Sequence, residues 1–132
     1  MPITRLLQII AGICGVVVLT LGMGTYTHAN FTNIHMLFGL LVALALLVLA
    51  IMAAFTSRLR RLGLISMVYA LILPIFGVTQ QMILVGDLHW LIEAAHLLVG
   101  GGALALTGTI SARFMRLKQN VRNVSEQPQP VG

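Results

Sequence analysis

The sequence predicts an all-α integral membrane protein, a four-helix up-down-up-down bundle built of two similar helical hairpins. Three observations carry this prediction. Of 132 residues, 58% are apolar and only 8% are charged, where a soluble domain would carry about 25% charged residues. The apolar residues gather into four runs, roughly 6–26, 34–55, 62–85 and 88–114. The chain also matches itself weakly at a shift of 61, which lays His28 on His89, His35 on His96 and Gly39 on Gly100. Those are all four histidines of the chain.

Each apolar run reaches the roughly 20 residues that a helix needs to cross a ~30 Å hydrocarbon core. Lipid offers backbone groups no partners, so these spans are helices and not strands. The first run is longer than the apolar part of a secretory signal and three more follow it, so it reads as a retained helix. The second ends at Arg58, Arg60 and Arg61. The third contains Pro74, which predicts a kink. Asp87 stands before the fourth as its expected N-cap. The bundle domain spans 1–117, and the polar stretch 118–132, with two prolines near its end, reads as a disordered cytoplasmic tail.

Charge orients the bundle. Arg5, the Arg58–Arg61 cluster, Arg113, Arg116, Lys118 and Arg122 lie at one set of ends, and segments 26–33 and 86–87 carry no Lys or Arg. The positive-inside rule places both termini and the middle loop in the cytoplasm, in an inner membrane, with the histidines toward the outer side. The net charge of +5 is therefore an orientation signal and not a nucleic-acid footprint. The single cysteine, Cys14, excludes an intramolecular disulfide, and no Cys-x-x-Cys-His motif attaches a covalent haem.

An ionisable side chain inside the bilayer is costly and marks a candidate site. His35 and His96 open the second and fourth helices, and parallel helices of an up-down bundle can face them across the core. Two imidazoles so placed suit the axial positions of a haem iron. Gly39 and Gly100, one turn further on, leave room for a flat macrocycle, or else let the helices pack closely. A hydrogen-bonding role for both histidines, or another pigment or metal, is the alternative. His28 and His89 lie seven residues earlier, about 10 Å along a helix. They fit the rim: donors to haem propionates together with Asn30, Asn33 and Trp90, a second cofactor site, a copper or zinc site, or plain interfacial histidines. Glu93 lies on the side of the helix shared with His89 and His96. It fits a second-shell partner that fixes an imidazole tautomer, a proton acceptor, or a carboxylate favoured by the helix dipole. Gln8, Gln80 and Gln81 fit interhelical bonds or a quinone site.

At the stretches Ile34-His35-Met36-Leu37-Phe38-Gly39-Leu40 and Ala95-His96-Leu97-Leu98-Val99-Gly100 the chain resembles one four-helix half of the heme A synthase family, over roughly residues 5–117. The resemblance implies a four-helix fold with His35 and His96 as haem ligands, and a homodimer would rebuild the family's eight helices. The chain departs from the family in having one unit, in Thr32 where a glutamate precedes the first histidine, and in lacking an outer-loop cysteine pair. Together these readings predict a cytochrome that binds one haem b, a second not excluded, and transfers electrons as a small subunit of a larger membrane complex. Its redox partner is expected to be a quinone or a cytochrome. A (bacterio)chlorophyll-binding or cofactor-free structural subunit, and a haem-handling enzyme, are the alternatives.

Overall fold

The computed structural model describes residues 3–25 and 31–126, and residues 23–25 by their backbone alone. It is all-helical: α1 (Ile3–Thr25), α2 (Thr32–Ala54), α3 (Arg60–Thr79) and α4 (His89–Ser125). All four are long and apolar enough to cross a membrane. A turn of 3-10 helix, Gln80–Met82, extends α3.

The boundaries follow local chemistry. The α2–α3 turn closes through Phe55 N–H to Ile51, Thr56 N–H to Ala53 and Leu59 N–H to Thr56. α3 stops as an α-helix at Thr79, six residues short of the expected end, and the link to α4 holds Leu84 and Gly86 at positive φ. Glycine accepts that backbone without cost. Asp87 is not the N-cap expected of it: Leu88 occupies that position and no side chain caps the helix. Pro74 lies inside α3, and helical structure continues on both sides of it. The fourth helix differs most from expectation. It runs 37 residues, through Lys118 and on to Ser125, so 118–125 are helical and not a disordered tail. No proline or glycine interrupts it after Gly108, and an Arg122–Glu126 ion pair at 2.9 Å closes its last turn. At 1.5 Å per residue it measures about 55 Å, nearly twice a hydrocarbon core.

α2 packs against the other three helices, α4 does likewise, and α1 and α3 do not touch. α2 and α4 therefore meet across the middle. The two ends of this bundle differ in packing. One end is dense: Ala11 and Cys14 of α1, Leu46, Leu49 and Ala53 of α2, Ala70 of α3, and Ala103 and Ile110 of α4 are buried. Small residues set the close approaches there, as in membrane bundles generally. A Cβ on Gly63 would meet the backbone nitrogen of Ala54 and lie 2.7 Å from the Ala50 oxygen. Leu104 of α4 lies over Gly15 of α1. The other end, which carries the three described histidines His35, His89 and His96, has no buried residue along 32–41 of α2, 71–79 of α3 or 89–102 of α4.

Most helix hydroxyls bond back to the chain, while the buried Ser66 hydroxyl has no partner among the described residues. The hydroxyls of Thr20, Thr79, Thr107 and Thr109 each donate to a carbonyl four residues back in their own helix, and Thr56 in the turn after α2 does the same to Met52 O. Two hydroxyls bond across to another helix: that of Tyr69 donates to Val99 O at 2.7 Å, and that of Ser111 to Thr4 O at 3.4 Å. Large apolar side chains such as Ile13, Ile65, Ile75 and Leu98 point outward all round. That surface suits lipid and not water.

Candidate cofactor site

His35 lies in the first turn of α2, and His96 lies two turns into α4 because that helix starts at His89. The contact of α2 with α4 brings the two together, with ring centroids 5.9 Å apart and ring planes inclined at 42°. A metal with an imidazole nitrogen about 2 Å away on each side sets the centroids roughly 6 Å apart. The spacing therefore matches bis-histidine ligation.

The surroundings seat both rings. Gly22 of α1 faces His35, and a Cβ there would stand 3.3 Å from its Cε1. Gly77 of α3 faces His96 in the same way, at 3.7 Å. Phe76 stacks on the His96 ring at 5.9 Å and 24°. His35 Nδ1 lies 3.1 Å from Val18 O. A carbonyl only accepts, so Nδ1 carries the proton and Nε2 presents a lone pair, the tautomer a metal ligand needs. His96 Nδ1 is buried and has no hydrogen-bond partner among the described residues. An unsatisfied buried group of this kind costs about 1–3 kcal/mol, which a bond to a bound group would relieve.

Two cavities meet at the pair. The deep one, about 480 Å³, runs along Gly39, Val42, Gly77, Gly100 and Leu104, and its mouth is lined by Thr32, Asn33, Gln80 and Gln81. No atom lies within 4 Å of where a Cβ on Gly39 or Gly100 would sit, so both glycines border open space. The outer cavity, about 570 Å³, shares His35, His96, Thr32 and both glutamines and adds His89, Trp90, Glu93 and Ala94. Each lies within the size range of ligand sites.

Of the residues singled out in the sequence, His35, His96, Gly39 and Gly100 come together around the deep cavity, while His89, Trp90 and Glu93 come together in the outer one. Glu93 makes no hydrogen bond to either imidazole among the described residues. Val18 O, not Glu93, orients His35, and Ile83 O lies 3.4 Å from His89 Nδ1. His28 and Asn30 lie outside the described residues. Gln8 and Cys14 line neither cavity. Val18, Gly22, Phe76 and Gly77 were not foreseen. A backbone carbonyl has no sequence signature, but a glycine in each helix flanking the histidine helices was a readable signal.

The residues fit a porphyrin better than a bare metal. Among the described residues no three His, Cys, Asp or Glu side chains converge, and two imidazoles leave a zinc or copper ion short of ligands. A porphyrin brings four nitrogens of its own and needs a flat apolar slot. Compared with protein-family models, curated proteins and solved structures, the chain matches none.

Proposed function

We propose that this chain is a membrane cytochrome that binds one haem b between His35 and His96 and transfers electrons. The observation that carries the reading is the pair of imidazoles 5.9 Å apart at the mouth of an apolar cavity. The haem supplies a one-electron iron couple when bound. The chain's own groups do the rest. His35 and His96 would hold the iron from its two sides, which would leave no open site for oxygen and favours electron transfer over catalysis. Val18 O holds the His35 ring, and Gly39 and Gly100 keep the slot open for the macrocycle. Asn33, Gln80 and Gln81 stand at its mouth as donors for the propionates, at an end of the protein without Lys or Arg. A chlorophyll magnesium needs only one imidazole, so the pairing favours haem. The test is a pyridine haemochrome assay on the purified protein, expected to give one b-type haem per chain; a colourless protein sinks the proposal.

The helices alternate in direction as two hairpins, with the dense, basic end in the cytoplasm of an inner membrane and the histidine end outward. The arrangement resembles one unit of heme A synthase, and a second copy or other membrane subunits would cover its apolar flanks. The charge pattern supports this orientation. In intact cells an impermeant maleimide should label Asp87→Cys, and Arg116→Cys only after permeabilisation. The reverse pattern rules the orientation out.

A further inference from the structure

The haem reading accounts for the deep cavity and leaves the outer one unused. We propose that the outer cavity, floored by His35 and His96 and walled by His89, Trp90 and Glu93, binds a lipid-soluble hydroquinone as electron donor. This rests on the haem reading for the electron acceptor, whereas the binding site itself stands on its lining.

Three features select that chemical class. The first is charge. No Lys or Arg occurs between Arg5 and Arg58 or between Arg61 and Arg113, so no cation at this end offsets the charge of an anionic donor beside the propionates. An anionic reductant would also meet Glu93, and the donor is therefore neutral. The second is access. Leu19 and Leu97 line the cavity and are exposed on the helix surface, so its entrance lies at the lipid-facing side and admits an apolar molecule. The third is the set of polar groups. Oxidising a hydroquinone releases two protons with two electrons, and the cavity holds two groups able to take them, the Glu93 carboxylate and the His89 imidazole. The contact of His89 Nδ1 with Ile83 O puts the ring proton on Nδ1 and leaves Nε2 to accept. Trp90 offers an aromatic face to stack on.

The chemistry balances. Both O–H bonds of the hydroquinone break, one proton passing to Glu93 and one to His89. Two electrons leave one at a time for the haem that His35 and His96 would hold, and a one-electron carrier, a cytochrome outside the bundle, would take up each electron before the next. The ring departs as the quinone. His35 and His96 line both cavities, so donor and acceptor meet at the same two side chains.

Trp90 is the only tryptophan of the chain, which gives a readout independent of turnover. The full-length protein in nanodiscs is titrated with a decyl-substituted benzoquinone while Trp90 emission is followed. Saturable quenching is expected. Ala94→Phe, which fills the outer cavity alone, should raise the half-saturating concentration at least tenfold with an unchanged Soret band. Glu93→Gln should keep the quenching and slow the first reduction of the haem by the decyl hydroquinone at least tenfold, while reduction by dithionite stays the same. His89→Gln serves as a second variant for the same rate should either of these fold poorly. Quenching that rises linearly without saturation, or is identical in Ala94→Phe, overturns the proposal. A missing Soret band with saturable quenching overturns the haem reading and leaves the quinone site standing.

Discussion

His35→Ala and His96→Ala are each expected to abolish the Soret band of the purified protein, while His89→Ala keeps it. Each imidazole would supply one of two axial bonds, and the slot between α2 and α4 offers the iron no substitute. Among the described residues no other His, Cys, Asp or Glu joins the pair in a ligand cluster. Glu93 lines the outer cavity and not the deep one. The variants should still fold. His96 Nδ1 has no hydrogen-bond partner to lose, and His35 gives up one bond to Val18 O, a net loss of about 1 kcal/mol. The dense end of the bundle, which holds the buried side chains, begins seven residues along the helices from the histidines, at Val42 and Ala103. Absorbance per mole of protein, with helicity from circular dichroism, checks this. A full-strength band in either alanine variant would remove that residue as a ligand.

Gly63→Ala is expected to be the most damaging small substitution at the dense end, and Gly63→Val worse. A Cβ at this position would collide with the α2 backbone at Ala54 and Ala50. Backbone, unlike a side-chain tip, cannot rotate away, so α2 and α3 must separate just beyond their turn. Overpacking of this kind costs typically 1–3 kcal/mol, and more when backbone must move. The gain in helix propensity from removing a glycine returns about 1 kcal/mol. A net loss of roughly 2 kcal/mol is expected for alanine. Gly12→Ala is the control: nothing lies within 4 Å of its Cβ position, so it should be neutral or slightly stabilising. Thermal unfolding in detergent separates the two. Equal midpoints for Gly63→Ala and Gly12→Ala would show that α2 and α3 do not approach so closely at Gly63.

The candidate site was legible in part, and the reasons differ by residue. His35 and His96 stood out because an imidazole in an apolar run is expensive and rare. Gly39 and Gly100 stood out only by their four-residue offset from those histidines. Glu93 lines the same cavity as His89, but helical spacing gives a shared face and not a contact. The carbonyl of Val18 orients His35, and a carbonyl belongs to every residue alike. Asp87 had the composition of an N-cap, yet the chain enters α4 through Gly86 at positive φ and Leu88 takes that position. The end of α4 was placed early because polarity was read as disorder. A segment such as Lys118–Ser125 can stay helical in water when it simply continues a long helix without a breaker.

By itself the sequence determined the apolar surroundings, the number of helices and the two histidines that the fold brings together. These are local properties, since hydropathy sums along a run and an imidazole in such a run is visible wherever it lies. Only the tertiary structure decided which face of each helix turns inward. In lipid an apolar side chain is as well placed outside the bundle as inside, so a helix like α2 carries no amphipathic stripe to read. The division into a dense end and an open end followed from that packing. So did the seats at Gly22 and Gly77, the 5.9 Å approach of His35 to His96 and the pair of cavities that meet there. Close approach of small residues sets all of these, and it joins positions far apart in the chain that no single run of sequence contains.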